Sequence, residues 1–245
     1  MTRPRQILAL GGGGFSMEAG NALLDDHVLA LTGVECPKVC FLPTASGDAD
    51  HYIVRFYRAF PASRCQASHI SLFRRDGGAT DLAAHLLEQD LVYVGGGSVI
   101  SLLGTWNAHG IDGMLRTAWE AGVVMAGLSA GSLCWFEYGM TAFHGENRPV
   151  RGMGFLPFSN AVHYDDKPER RAAFRGAIAD GLPAGYGTGD GAALHFVGTA
   201  LAEVVASREK ARAYHVAPEA TEVTEIELAT RFLGAALAVE PALAA

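Results

Sequence analysis

Short apolar runs recur along the chain, and each breaks off at glycine or proline. Residues 7–10 lead into Gly11-Gly12-Gly13-Gly14, residues 39–42 into Pro43-Thr44-Ala45-Ser46-Gly47, and residues 69–73 into Asp76-Gly77-Gly78. Residues 91–94 lead into Gly95-Gly96-Gly97-Ser98, and residues 123–128 into Ser129-Ala130-Gly131. Each run is aliphatic or β-branched with little polar alternation, the pattern of strands covered on both faces of a parallel sheet. Between them, residues 17–32, 49–60, 82–88, 99–121 and 168–179 carry helical spacing. Strand, glycine turn and helix in repetition predict an open, doubly wound, mostly parallel α/β sheet with helices on both faces. Ligands of such sheets bind beyond the carboxyl ends of the strands, so the glycine loops should gather on one rim.

After about residue 185 the pattern changes. Residues 192–196, 200–206 and 213–216 read as short strands of an antiparallel extension. No repeat or linker interrupts the chain, so residues 1–245 are read as one catalytic domain. The segment 223–245 has no assignable role; Ile226, Leu228 and Leu233 could pack on the domain or on a partner subunit of a homo-oligomer.

Composition narrows the class. A chain of 245 residues with 49% hydrophobic content can bury a full core without staples. Its 30 glycines exceed the usual ~7% but are clustered, so they mark special turns. With 19 basic against 26 acidic residues, net −7, no concentrated basic field exists for nucleic acid. No apolar stretch reaches membrane-spanning length, and residues 7–10 are too short for a signal-peptide core. The chain is read as cytoplasmic. Cys36, Cys40, Cys65 and Cys134 form no paired metal-binding pattern and are read as buried free thiols.

The candidate chemistry centres on Gly127-Leu128-Ser129-Ala130-Gly131, a G-x-S-x-G pattern after a strand and before helix-compatible residues 132–138. A sharp strand-to-helix turn lifts a serine hydroxyl from the sheet, and small neighbours avoid clashes within it. Ser129 is therefore the candidate nucleophile; an ordinary tight turn is the alternative. Its base must be a histidine. His27, His51, His85 and His109 lie in segments reading as helix or its edge, whereas His163 follows a Gly/Pro-rich approach, at a strand end on the same rim as Ser129 and just before a helix. A carboxylate should orient that imidazole and stabilise its cation. Asp190, flanked by glycines, is the candidate, although aspartate in a glycine turn is also a turn-former. Asp165 and Asp166 are nearer in sequence but are read as starting the next helix or staying solvated; Glu137 and Glu146 are weaker. The order Ser129, His163, Asp190 differs from the serine–acid–histidine order of α/β-hydrolases.

Leu10-Gly11-Gly12-Gly13, Phe41-Leu42-Pro43-Thr44-Ala45-Ser46, Tyr93-Val94-Gly95-Gly96-Gly97 and the Ser129 pentapeptide, in that order, resemble the peptidase E family (S51) of serine peptidases. That family includes aspartyl dipeptidases and, more distantly, cyanophycinases. The resemblance runs to about residue 216. It implies a class I glutamine amidotransferase-like fold with serine in place of the cysteine nucleophile. It further implies Ser129 as nucleophile, His163 as base, and an oxyanion hole from the N–H groups of Ala130 and Gly96. The family's acid is often Glu; Asp190 matches best here. Members often carry Asn after the three glycines, where this chain has Ser98. A pocket for a substrate Asp needs a cation, and Arg170 and Arg171 are the candidates, with solvated helix charges as the other reading. Gly97, Ser98 and Tyr164 complete the expected substrate contacts.

The first glycine cluster does not support nucleotide binding. In G-x-G-x-x-G register the third glycine is replaced by Ser16 or Met17. No metal or organic cofactor is expected. The anticipated activity is hydrolysis of short peptides, with N-terminal Asp dipeptides foremost. Other amides, esters or β-linked aspartyl chains are the alternative, and a non-enzymatic binding scaffold a third.

Overall fold

The computed structural model describes residues 3–74, 81–142, 145–166, 168–219 and 222–234. The expected turn Asp76-Gly77-Gly78 and the tail beyond residue 234 lie outside them. Five parallel strands form the centre: β1 (Gln6–Leu10), β2 (Lys38–Leu42), β3 (Gln66–His69), β4 (Leu91–Val94) and β5 (Val124–Leu128). Beside β1, the strand β10 (Ala192–Val197) runs antiparallel, followed by β11 (Ala200–Ala206) and then β14 (Thr230–Phe232). This eight-stranded sheet has the order β14-β11-β10-β1-β5-β4-β2-β3.

Strand alternation divides the core. Ile7 and Ala9 of β1 join Leu86 of α4 (Leu82–Leu87), Leu102 and Trp106 of α5 (Val99–His109), and Leu115 and Trp119 of α6 (Ile111–Glu120). Leu8 and Leu10 point the other way, onto Phe15 of α1 (Gly14–Met17), Leu24 and Val28 of α2 (Leu23–Ala30), and Phe56 of α3 (Asp50–Ala59). A sheet sandwiched this way needs strands apolar at every position, the reason the runs read as continuous.

A second sheet of six strands was not legible as such. Its order is β13 (Glu222–Glu227), β12 (Ala213–Glu219), β9 (Gly185–Thr188), β8 (Leu156–Val162), β6 (Phe136–Thr141) and β7 (Arg148–Arg151). Phe136 and Leu156 from this sheet share a buried cluster with Ile7 and Leu194 from the first. The tail residues Leu228 and Leu233 pack onto the chain's own core, whereas Ile226 is exposed.

Four expectations need correction. The helix expected over 17–32 divides into α1 and α2, because Gly20 takes a left-handed turn at φ +83°. The one expected over 99–121 divides at Gly110, which caps α5 in the left-handed region at φ +66°. Residues 70–73 are not strand: the Asp48 carboxylate accepts the N–H groups of Leu72 (2.6 Å) and Phe73 (2.9 Å), turning the chain away after His69. The helix after Ser129 stops at Leu133 (α7, Ala130–Leu133), and the β-prone Phe136, Tyr138 and Thr141 form β6 instead. Of the cysteines, Cys40, Cys65 and Cys134 are buried free thiols as expected; Cys36 is exposed.

Asp25 is 2% exposed beneath Tyr93, whose hydroxyl donates to Oδ1 at 3.4 Å. Burial pushes its carboxyl up to about 7, against the opposing pull of Arg64 and the Tyr93 hydrogen bond. The unfolded chain releases this proton near pH 3.8 and the folded chain holds it to about 7, so folding stability declines as pH rises between them. Asp25→Asn is expected to flatten that decline and to exceed wild type in stability at pH 8 by at most about 4 kcal/mol. Urea unfolding at pH 5 and pH 8 checks this; an unchanged difference between the two pH values would contradict it.

Candidate active site

The register brings Leu10 opposite Leu128 and Gly127 opposite Val94, so the ends of β1, β5 and β4 share one rim. The glycine loops gather there as expected. Ser129 follows β5 directly, its N–H donating to the Leu10 carbonyl at 3.2 Å. Its backbone sits at φ 53°, ψ −114°, a conformation that non-glycine residues rarely adopt. Packing enforces it: a Cβ on Gly131 would lie 2.3 Å from the Val94 carbonyl oxygen, so only glycine lets the turn press onto β4. His163, just past β8, is likewise left-handed at φ 52°. Among the described residues the other non-glycine at positive φ is Asp48.

These backbones bring three side chains into line. His163 Nε2 lies 2.8 Å from Ser129 Oγ, and His163 Nδ1 lies 2.5 Å from Asp190 Oδ1. An ionised carboxylate only accepts, so Asp190 places the imidazole proton on Nδ1 and leaves Nε2 to accept from the serine hydroxyl. Burial opposes ionisation of Asp190, but the hydrogen bond and charge of His163, with Arg208 and Arg170, outweigh it and hold the carboxyl below its ordinary range. Gly12 makes room for the pair: a Cβ there would sit 2.2 Å from Asp190 Oδ1 and 2.9 Å from the imidazole. This close approach is the use of the first glycine cluster.

Behind the turn that carries Ser129 lies a buried polar network that sequence reasoning missed. Asn160 Nδ2 donates to Ser132 Oγ at 3.0 Å, and Thr188 Oγ1 donates to Asn160 Oδ1 at 3.3 Å. All three residues are fully buried, and they tie β8 and β9 to the turn that carries Ser129. Ser132, immediately after the pentapeptide, was the available signal.

The expected substrate contacts separate into two groups. Ser129 lies between two clefts. One, of about 280 Å³, is lined by Met17, Tyr52, Arg55, Gly96 and Gly97; the other, of about 200 Å³, by Gly97, Ser98, Ala130, Met140 and Arg170. Arg170 donates to the Val162 carbonyl at 3.1 Å, while its Nε is buried without a partner among the described residues. Ser98 lines the same cleft, but its Oγ accepts the Ser101 N–H and so caps α5. Arg171 and Tyr164 do not reach either cleft. Arg171 pairs with the buried Glu225 and lies over the Tyr214 ring at 4.6 Å, and Tyr164 donates to Glu225 at 2.8 Å from a site that is 1% exposed. Glu225 on β13 holds both, Tyr164 in the core and Arg171 half-exposed above it. Asp165 is also spoken for, facing Arg171 and Tyr214.

Gly96, expected to donate its N–H to an oxyanion, gives it instead to Tyr52 Oη at 3.0 Å. The N–H groups of Gly97 and Ala130 have no acceptor among the described residues, and both residues line the Arg170 cleft.

The model of peptidase family S51 matches residues 7–204. The chain belongs to peptidase family S51. YgaJ of Bacillus subtilis strain 168, an uncharacterized peptidase, is 46% identical over 231 residues, covering 94% of this chain and all of that one. Among solved structures, a peptidase from an acI-B1 actinobacterium matches with a TM-score of 0.68 at 15% identity, covering 93% of this chain and 95% of its own. A provisionally named peptidase E of Listeria monocytogenes EGD-e matches with a TM-score of 0.57 at 18% identity, over 82% and 96% respectively. The S51 protein is thus a peptidase with the expected class I glutamine amidotransferase-like fold. No described helix is long and apolar enough to cross a membrane.

Proposed function

We propose that this S51 peptidase hydrolyses short peptides bearing N-terminal Asp, through an acyl-enzyme on Ser129. The observation that carries the mechanism is the continuous line Ser129 Oγ, His163 Nε2, His163 Nδ1, Asp190 Oδ1, with contacts of 2.8 and 2.5 Å. His163 takes the hydroxyl proton as Oγ attacks the scissile carbonyl, then returns it to the leaving amine. Asp190 keeps the imidazole oriented and balances its positive charge. The Ala130 and Gly97 N–H groups receive the oxyanion, Gly97 taking the part first expected of Gly96. Water then attacks the acyl-enzyme, with His163 again as base. No step uses a metal, so EDTA should leave the rate unchanged.

Specificity rests on Arg170. Arg170 lines the smaller cleft beside Ser129 and His163, and its guanidinium suits a substrate carboxylate there. Arg170→Met is expected to lower kcat/KM for Asp-X by about 30- to 1000-fold, the cost of stranding a buried carboxylate at about 2–4 kcal/mol. Hydrolysis of Leu-X should change little. Amino-acid release from Asp-X, Asn-X, Glu-X, Leu-X and N-acetylated Asp-X measures both. Equal losses on Asp-X and Leu-X would assign Arg170 to the scaffold and remove the Asp pocket.

A longer substrate is the second reading, favoured by one observation. The cleft on the Arg55 side shares Ser16, Met17 and Arg55 with a recess of about 730 Å³, more room than a single leaving residue fills. Faster cleavage of Asp-X-X or a β-linked aspartyl chain than of Asp-X would support it.

A further inference from the structure

Away from the serine rim, His27 of α2, His195 of β10 and Glu203 of β11 converge on the flank of the first sheet. Their ligand atoms all lie within 4.8 Å of one another. None of the three lines either cleft beside Ser129. His195 pairs with Leu8 in mid-strand, below the rim where Leu10 meets Leu128.

The contacts are of an unusual kind. His27 Nε2 approaches Glu203 Oε1 at 3.6 Å and His195 Nδ1 approaches the same oxygen at 3.7 Å, both too long for hydrogen bonds. His27 Nε2 is buried and has no hydrogen-bond partner among the described residues. A buried ring nitrogen left without a partner, beside a carboxylate that could have taken its proton, calls for a reason. We infer that His27, His195 and Glu203 hold a zinc ion, as a site separate from the Ser129 chemistry.

Zinc takes imidazole nitrogen at about 2.0–2.1 Å and carboxylate oxygen at about 2.0–2.2 Å in tetrahedral array, which sets neighbouring ligands about 3.3–3.6 Å apart. The separations of 3.6 and 3.7 Å match two such edges with little adjustment. Two imidazoles and one carboxylate form a nitrogen–oxygen set of the type zinc accepts, with water in the fourth position. An outer shell is already in place. His195 Nε2 lies 3.0 Å from Gln6 Oε1, and its N–H donating there frees Nδ1 for the metal. Arg231 holds Glu203 through two contacts on Oε2, at 2.9 and 2.8 Å, and a single one on Oε1, at 3.0 Å. A carboxylate oxygen has two lone pairs, so Oε1 keeps one directed at the imidazoles. The metal would clamp α2 onto β10 and β11.

The test uses the full chain, stripped with chelator and dialysed, with cobalt(II) and zinc as probes. One equivalent of cobalt should give the intense visible absorption of a low-coordinate site, displaced by one equivalent of zinc. Zinc should raise Tm, and His27→Gln and Glu203→Gln should each lose the absorption, the Tm rise and at least about 100-fold in affinity. If either variant fails to fold, X-ray absorption of the zinc-loaded wild type replaces it, with two imidazoles and no sulfur expected. Equal metal uptake by wild type and His27→Gln, no cobalt absorption in wild type, or a sulfur ligand such as the exposed Cys36, would each overturn the inference.

Discussion

Ser129→Ala is expected to lower kcat by about 10⁴ to 10⁶, with thermal unfolding close to that of wild type. In the proposed mechanism the hydroxyl is the atom that attacks, and neither remaining partner can substitute for it. The fold should survive because the strained turn is held by backbone contacts: the Ser129 N–H to Leu10, and the Ser132 and Leu133 N–H groups to the Ser129 carbonyl. Alanine at φ 53° carries the same backbone strain as serine, so the variant keeps the geometry and loses only the nucleophile. Residual hydrolysis above the uncatalysed rate is expected, since the Ala130 and Gly97 N–H groups still meet the carbonyl. Steady-state release of amino acid, with a melting curve on the same preparations, checks both parts. Retained turnover in Ser129→Ala would remove the acyl-enzyme.

Asp190→Asn should be nearly as severe, at about 10⁴ in kcat. The amide keeps the size of the carboxylate but can present an N–H to His163 Nδ1. That stabilises the tautomer with its proton on Nε2, which then faces Ser129 as a donor and cannot accept. The imidazolium formed during attack also loses its counter-charge. Asp190→Glu, the acid common in the family, should retain more activity than Asp190→Asn, limited by Gly12: the carboxylate already occupies the space where a Cβ on that residue would lie, 2.2 Å from Oδ1. Equal activity of Asp190→Asn and wild type would make Asp190 a turn-former and reopen the choice of acid.

The parallel core was legible because burial on both faces leaves an unmistakable pattern, as in residues 7–10 and 91–94. The strand-to-helix turn at Ser129 was legible because it demands small neighbours in a fixed spacing, and the expected one-rim clustering of glycine loops is observed. The second sheet was not, since β8 and β9 pair in parallel across a helix and carry glycines and polar residues that obscure the alternation. Arg170 and Arg171 are neighbours in sequence, yet one edges a cleft and the other is held by Glu225. That division is set by β13, a strand read only as tail. The Gly96 N–H is taken up because Tyr52, on a separate helix, reaches it, which is why the proposed oxyanion donor is Gly97. Long-range partners of this kind leave no local mark.

The most direct measurement of the central claim is intact-protein mass spectrometry after treatment with a fluorophosphonate, followed by peptide mapping. A single adduct on Ser129, formed slowly or not at all in Asp190→Asn and blocked by excess Asp-X, is the predicted result. An enzyme that hydrolyses Asp-X while Ser129 stays unlabelled, or that loses activity through an adduct on another residue, would contradict it.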